Sequence, residues 1–343
     1  MTMVLQRPEK NMLQQLTKTL KKNIVQQVGQ PIYENSSVID FFRLGVMHLL
    51  TIWVMAKKYI LRRSPMFWTT KVIRGQETPI LKINTFWVDG ISHTCRQIRE
   101  GAATWMALNV IVRFNLKKRK QTFIDFLDYF WLNIRNARAV RNRNKLVEKE
   151  LLDIMFDVYS QKQPIIIASI ASGSFEAVIA AVRAFILQSG QEDVYVFFFD
   201  LNKDAVEHMR KRIKEEDMEG VCIVKRAVFL GAKWQLNVVN YIRESCNFKP
   251  NIVEMAGLFD HLTEEQIVLL SSQVNNELEE GDYFITAHVN DNRERKFMEK
   301  VLEWIMFYRS PTMLQKLLLK SGFDNCDIIA EPESIHYIAI CKK

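Results

Sequence analysis

The sequence predicts an α/β protein in which a doubly wound, mostly parallel sheet ends in an antiparallel hairpin and follows a mainly helical N-terminal part. Two observations support this prediction. From about residue 164 onward, apolar runs of strand length alternate with helical patterns, as in parallel sheets that are covered on both faces. The chain then closes on two apolar runs around Glu331 to Ser334, which is the pattern of a β-hairpin.

The N-terminal part, residues 1–121, is predicted to be a basic helical domain, and residues 122–343 are predicted to form the α/β domain. Apolar positions at helical spacing predict helices over 11–28, 38–59 and roughly 88–114. Five of the seven tryptophans lie within the first 131 residues. They indicate either a packed helical core or an aromatic pocket for an apolar substrate or for stacked bases.

Charge is unevenly distributed along the chain. Residues 1–150 hold 26 Lys+Arg and 10 Asp+Glu, a net charge of 26 − 10 = +16, and the remainder holds 21 and 29, a net charge of −8. This asymmetry indicates either an anionic partner, such as nucleic acid or a lipid surface, or a basic module packed on an acidic one. Arg135, Arg138, Arg141 and Arg143 crowd together before the sheet. They favour recognition of a carboxylate or phosphate, with surface ion pairs as the alternative.

The cysteines and the apolar segments bear on the compartment. Five cysteines lie far apart without a C-x-x-C pair, so neither a disulfide framework nor a metal site is expected, and a reducing cytoplasm fits. The apolar stretch 44–56 is shorter than the roughly 20 residues that span a bilayer. A buried core helix is therefore expected there, with peripheral membrane contact as the alternative.

The segment 164–200 organises the α/β domain. A strand (Ile165 to Ala168) leads into a turn of small residues, a helix follows, and a second strand (Val194 to Phe199) ends on Asp200. Ligands of such βαβ units bind at the carboxyl ends of the strands, where the helix N-terminus favours anions and an acid can accept ribose hydroxyls. A nucleoside-bearing cofactor is therefore expected, although the turn and the acid could also be purely structural. G-x-G-x-x-G and G-x-x-x-x-G-K-[ST] are both absent, which argues against NAD enzymes and P-loop NTPases.

The remaining elements are predicted in chain order. Strands are expected over 221–224, 252–255 and 283–287, and helices over 204–216, 235–244, 263–278, 293–308 and 312–319. Thr263 followed by two glutamates is typical of a helix N-terminus.

The chain resembles a known family. Four motifs carry the resemblance: Asn136 to Arg143 (NARAVRNR), Ala171 to Gly173 (AxG), Gly257 to Leu262 (GLFDHL), and Trp304 with Tyr308 and Arg309. Together they resemble a set of bacterial class I S-adenosylmethionine-dependent methyltransferases over about residues 122–343. The resemblance implies a Rossmann-like fold and S-adenosyl-L-methionine as the cofactor.

The resemblance also implies site residues. The cofactor-binding positions would be Ala171, Ser172, Gly173, Asp200, Leu201, Ala227, Glu254 and Ala256. The catalytic candidates are Glu254, His261 and His288, and the substrate-binding candidates are Arg141, Tyr308 and Arg309. The segment after the third strand offers Arg226, Ala227 and Val228 and lacks the carboxylate that often flanks the adenine.

Methyl transfer is the function that the resemblance implies, with the N-terminal helices as a substrate lid or a dimerisation element. The apolar, Trp-rich character of these helices predicts a small or lipid-like acceptor. Three alternatives stay open: a nucleic-acid methyltransferase that uses the basic part, a non-catalytic scaffold on the same fold, and transfer of the aminocarboxypropyl group from the same cofactor. The N-P-P-Y motif of many base-amine methyltransferases is missing.

Overall fold

The structure is a computed structural model that describes residues 37–73, 76–115, 121–161, 164–191, 193–228 and 238–343. The predicted helix over 11–28 and the basic run Lys117 to Lys120 lie outside the described residues.

A seven-stranded sheet forms the centre of the molecule. Its strands are β3 (Ile165–Ile170), β4 (Val194–Asp200), β5 (Cys222–Arg226), β6 (Ile252–Ala256), β7 (Tyr283–Val289), β8 (Asn325–Ala330) and β9 (His336–Lys342), in the order β5-β4-β3-β6-β7-β9-β8. The first five are parallel, whereas β9 is antiparallel to both β7 and β8. The predicted doubly wound sheet with a C-terminal antiparallel hairpin is confirmed.

Helices cover both faces of the sheet because the strands are apolar on both sides. On one face lie α5 (Arg135–Ser160), α6 (Glu176–Ser189) and α7 (Lys203–Glu215); on the other lie α8 (Val239–Cys246), α9 (Glu264–Glu277) and α11 (Pro311–Lys320). Ile165 and Ile167 point into the first layer, while Ile166 and Ala168 point into the second. Helix α9 begins at the predicted place, where Thr263 and Gln266 form a capping box.

In the described residues, the N-terminal part contains α1 (Ser37–Ile60), α2 (His93–Glu100), α3 (Trp105–Arg113) and a two-stranded hairpin of β1 (Trp68–Ile73) and β2 (Gln76–Leu81). Helix α4 (Phe123–Leu132) follows it and packs with these helices. The hairpin was not predicted. The helix expected over 88–114 is divided, because the chain turns at Gly101 to Thr104 between α2 and α3. These helices share one hydrophobic cluster with Phe297, Met298 and Trp304 from the segment after β7.

Two further predictions are wrong. The helix expected over 293–308 is only α10 (Arg295–Lys300), and residues 303–310 are not helical. Cys326 and Cys341 are register partners on β8 and β9 and form a disulfide. The cysteine spacing therefore no longer argues for a reducing compartment.

Helix α1 carries more exposed large apolar side chains than any other element of the described residues. By length and composition, the helical stretch Val38–Arg63 is able to cross a membrane, and 22% of its most apolar window is buried inside the protein. Met47 and Val54 face the core, whereas Phe41, Phe42 and Trp53 are exposed.

Candidate active site

The turn after β3 lies next to the end of β4. Ala171 adopts a left-handed backbone conformation (φ 54°), and the buried Ser172 hydroxyl donates to Ser169 O at 2.6 Å. The Ser172 backbone N–H donates to Phe199 O at 3.2 Å. These bonds fix the turn at the carboxyl ends of two adjacent parallel strands, where ligands of this fold class bind.

Asp200 ends β4 beside this turn. Its Oδ1 accepts from the backbone N–H of Asn202 at 2.8 Å. Burial raises the pKa of Asp200, and backbone N–H groups of Asn202, Gly173 and Leu201 oppose that shift. The N–H of Ala227 donates to Asp200 O at 3.2 Å, which brings the end of β5 to the same place. The structure therefore brings together Gly173, Asp200 and Ala227, while the Leu201 side chain is half exposed.

A polar pocket of about 360 Å³ opens between this turn, β6 and α5. Four of the predicted cofactor residues line this pocket, namely Ala171, Ser172, Glu254 and Ala256. Arg143 and Ser169 line it as well. The buried Glu254 carboxylate accepts from the Ser169 hydroxyl and from the Ala256 N–H, both at 2.6 Å. Burial raises the pKa of Glu254, against the effect of these two donors and of the Arg143 charge.

Helix α3 lies over the turn. A Cβ atom built on Gly173 would meet Trp105 Cβ at 2.3 Å, so glycine is required here by the packing of α3. Arg113 of α3 pairs with Glu176 at 2.9 Å, and the Trp105 ring contacts His208 of α7 with centroids 4.7 Å apart. Helix α3 is thus attached to the α/β domain at both ends.

An apolar cavity lies on the other side of α3, between the N-terminal helices and the ends of the strands. It encloses about 740 Å³ of space, its mouth included. Most of its lining is aliphatic or aromatic, with Leu108 and Ile111 from α3, Trp131 from α4, and Phe297 and Trp304 from beyond β7. Its polar lining residues are few: Asn136, Arg143, Asp260, His261 and His336. Pockets of this kind suit an apolar small molecule that is oriented by a few polar groups.

Arg143 lines both the polar pocket and the apolar cavity. Its Nη1 lies 3.6 Å from Asp260 Oδ2, and its Nη2 lies 3.5 Å from the place where a Gly257 Cβ would stand. Burial lowers the pKa of Arg143, while Asp260 and Glu254 oppose that shift. From the sequence, Arg143 was proposed only as a member of the arginine cluster and of the Asn136 to Arg143 motif, and not among the cofactor-binding, catalytic or substrate-binding candidates.

The other arginines of the cluster are engaged within the protein. Arg138 pairs with Asp40 and Glu333 at 2.6 and 2.7 Å, and Arg135 pairs with Glu333 at 2.8 Å. Arg141, a predicted substrate residue, is buried and donates to Ile111 O at 3.5 Å without lining either cavity. The alternative of ion pairs within the protein therefore holds for Arg135 and Arg138, whereas the substrate-binding role of Arg141 stays a prediction.

His288 and Arg309 form a buried network instead of facing the apolar cavity. Nδ1 of His288 lies 3.0 Å from Asp260 Oδ1, and its Nε2 lies 3.3 Å from Arg309 Nη1. Arg309 also donates to Leu262 O at 2.7 Å. The Tyr308 ring packs under the Arg295 guanidinium, whose Cζ lies 4.5 Å from the centre of the ring. These three predicted site residues do not line either cavity, whereas His261 lines the apolar one.

His336 is a site residue that the sequence analysis missed. It begins β9, lines the apolar cavity and is 3% exposed. Burial and the Arg143 charge lower the pKa of His336 to about 3, so the imidazole is neutral. Its only sequence signal is its position at the first residue of the closing strand, on the same sheet edge as the end of β7.

The comparisons with known proteins agree with this geometry. A family model described as "Putative methyltransferase" matches residues 81–343. No curated protein sequence matches the chain. Among solved structures, a protein from Bordetella parapertussis described as a possible exported protein has a TM-score of 0.57 at 9% identity, over 91% of this chain and 99% of that chain.

Two structures described as methyltransferases have lower TM-scores. The magnesium protoporphyrin IX methyltransferase of Synechocystis PCC 6803, solved with bound SAH, scores 0.41 at 12% identity, over 60% of this chain and 87% of that chain. The CMeT domain of the citrinin polyketide synthase has a TM-score of 0.46 at 12% identity, over 97% of this chain and 95% of that chain.

The family match covers most of the chain, from β2 to the C-terminus. The chain therefore belongs to this methyltransferase family, and its identification as a class I S-adenosylmethionine-dependent methyltransferase is confirmed.

Proposed function

We propose that this protein transfers the methyl group of S-adenosylmethionine to a small, largely apolar acceptor that is held in the cavity beneath α3. One observation carries the proposal: Arg143 lines both the polar pocket and the apolar cavity. A polar cofactor site and an apolar acceptor site thus meet at one buried side chain, as a direct transfer between two bound molecules requires.

The residues of the polar pocket fit the cofactor. Glu254 and Arg143 offer a carboxylate and a guanidinium in one pocket, which suits the ammonium and carboxylate of an amino-acid end. A bound ammonium would also offset the burial that raises the Glu254 pKa. Asp200, at the end of β4, would hold the ribose hydroxyls. When bound, S-adenosylmethionine supplies an electrophilic methyl carbon on a sulfonium.

The chain's own contribution is to position and enclose the reactants. Leu108 and Ile111 of α3 line the apolar cavity, and Trp105 of the same helix packs on the turn at Gly173. One helix therefore covers both binding sites, and this arrangement excludes water from the space between them.

The observations favour this reading over a nucleic-acid substrate. Arg135 and Arg138 are engaged in ion pairs with Glu333 and Asp40, so they do not form a phosphate-binding surface. The acceptor cavity is lined mainly by apolar side chains, which suits neither a phosphate backbone nor a nucleotide.

Calorimetric titration with S-adenosylhomocysteine tests the proposal. We expect the intact protein to bind it, Asp200→Asn to weaken binding at least about tenfold through lost ribose hydrogen bonds, and Asp204→Asn to leave it unchanged. Asp204 is a matched control because it is an exposed acid four residues further along, in the first turn of α7. Absence of binding by the intact protein would overturn the proposal. Mass analysis of the transferred group separates methyl transfer from aminocarboxypropyl transfer.

A further inference from the structure

Two polar atoms on side chains that line the apolar cavity are buried and lack hydrogen-bond partners among the described residues. They are Nδ1 of His336 and Nε1 of Trp304. Both side chains line the cavity, and they are 3% and 4% exposed. A buried polar atom without a partner destabilises the folded protein, so these two atoms indicate where a polar group of the occupant belongs.

The chemistry of the two atoms restricts that group. Trp304 Nε1–H can only donate a hydrogen bond, while a neutral imidazole nitrogen donates or accepts according to its tautomer. A hydroxyl group satisfies both atoms with either tautomer, since it donates one hydrogen bond and accepts two. A carboxylate only accepts, so it satisfies both atoms only if His336 Nδ1 carries the proton.

From this arrangement, and resting on the proposed function, we infer that the acceptor is an apolar molecule with a hydroxyl group, that Trp304 and His336 bind this hydroxyl, and that its oxygen is methylated. His336 would act as a catalytic residue. The acceptor oxygen forms a bond to the methyl carbon, the leaving electron pair stays on the cofactor's sulfur, and the hydroxyl proton passes to the imidazole. Arg143, which lines the same cavity, stabilises negative charge on the oxygen as the proton leaves.

Burial and the positive Arg143 keep His336 neutral and oppose its protonation, so the imidazole accepts the proton only as the new bond to the methyl carbon makes the acceptor oxygen acidic. Arg143 is positively charged, and Asp260 and His288 belong to the same buried network. The apolar lining contains the stacked pair Trp131 and Phe297, whose ring centres are 5.4 Å apart. We therefore commit to a hydroxylated aromatic compound as the acceptor class.

Three probes of similar size test the inference: 2-naphthol, naphthalene and 2-naphthoic acid, each titrated calorimetrically into the full-length protein saturated with S-adenosylhomocysteine. We expect 2-naphthol to bind about tenfold more tightly than naphthalene, which corresponds to one buried hydrogen bond. With S-adenosylmethionine, mass spectrometry should detect 2-methoxynaphthalene.

Matched variants assign the effect to the two residues. His336→Phe keeps a ring and removes both nitrogens, so its preference for 2-naphthol over naphthalene should fall to what Trp304 alone provides, and it should form no methyl ether. His336→Gln should retain part of the preference in binding but not the turnover. Trp304→Phe should weaken the binding of 2-naphthol and leave the binding of naphthalene unchanged. Tyr337→Phe, on the neighbouring position of β9 and outside the cavity lining, serves as the control.

The outcomes separate this inference from the proposed function. Binding of S-adenosylhomocysteine by wild type and variants shows that the cofactor site and the fold are intact. With that binding present, three results would each overturn the inference: equal affinity for 2-naphthol and naphthalene, no binding of any probe, or tight 2-naphthoic acid binding that is unchanged in His336→Phe. Loss of S-adenosylhomocysteine binding by the wild type would overturn the proposed function instead.

Discussion

Nη1 of Arg143 lies 3.6 Å from Oδ2 of Asp260, and this contact joins helix α5 to the segment that follows β6. Asp260 in turn accepts from the Val289 N–H at 2.8 Å and lies 3.0 Å from His288 Nδ1. The pair thus connects three elements at the carboxyl edge of the sheet. Gly257, with φ 106°, leaves the space beside it that the Arg143 guanidinium occupies.

Replacement of Arg143 should weaken ligand binding more than replacement of any other arginine of its motif. We expect Arg143→Gln to weaken S-adenosylhomocysteine binding by about tenfold or more, because a charge-assisted hydrogen bond in a buried site is lost. Arg135→Gln is the control, since that side chain is 40% exposed and pairs with Glu333 at the surface. Calorimetry on both variants checks this, and equal affinities would contradict the role given to Arg143.

Gly173 and Trp105 should be energetically coupled. Gly173→Ala introduces a Cβ at 2.3 Å from Trp105 Cβ, and we expect it to lower the free energy of unfolding by about 1–3 kcal/mol through overpacking. Because the collision is with a Cβ atom, Trp105→Ala would not relieve it, whereas Trp105→Gly would.

Urea unfolding of the two single variants and of Gly173→Ala with Trp105→Gly measures the coupling. Gly45→Ala is a control without steric conflict, since its Cβ would meet nothing within 4 Å. Additive effects in the double variant would show that α3 does not pack on the turn in solution.

Asp260 should stabilise the fold in a pH-dependent way. Burial alone would raise the pKa of Asp260, yet His288 and Arg143 hold it well below its usual range. A lowered folded pKa stabilises the protein above the unfolded value of about 3.9, and this stabilisation is lost as the pH falls below it.

We expect Asp260→Asn to lower the free energy of unfolding by about 3–5 kcal/mol at pH 7, because it leaves buried cationic groups unpaired. The difference from wild type should shrink below pH ~4. Urea unfolding at pH 7, 5 and 3.5 checks both statements. A difference that is constant across this range would contradict the lowered pKa.

His336 should act in a separate pH window. Its pKa is lowered to about 3 in the folded protein, against about 6.5 for a free histidine. Between these values the unfolded chain binds a proton that the folded one does not, so the wild type should lose up to about 1.4 kcal/mol of stability per pH unit as the pH falls. When the free energy of unfolding of His336→Phe is plotted against pH, this contribution to the slope should be absent between pH 6 and 4. An unchanged slope would show that His336 is protonated in the folded state.

Much of the fold could be predicted because its elements have strong local patterns. The runs 194–199 and 252–256 are apolar except for Glu254 and are bounded by helical patterns, so their strand character is evident without tertiary information. The hairpin of β1 and β2 escaped prediction because its strands, WTTKVI and QETPIL, are only six residues long and do not alternate polar and apolar residues. The helix expected over 293–308 failed because tertiary contacts, such as Phe307 N–H to Asp260 O, replace its helical bonds.

The site was less predictable because it depends on helix faces and strand register. Arg141 and Arg143 are two positions apart on α5 and therefore point to different sides, and only the structure identifies Arg143 as the one that lines both cavities. Likewise, Cys326 meets Cys341 only in the register that the hairpin adopts. His336 joins the site through the order of strands β7, β9 and β8, which no local pattern encodes.

A crystal structure of the protein with S-adenosylhomocysteine would show whether the cofactor and the acceptor meet at Arg143. We predict electron density for the amino-acid end of the ligand in the polar pocket, within hydrogen-bonding distance of Glu254 and Arg143, and for the ribose beside Asp200. The sulfur should then face the apolar cavity. Density that places the amino-acid end away from Glu254 and Arg143, or the sulfur away from the cavity, would contradict the account.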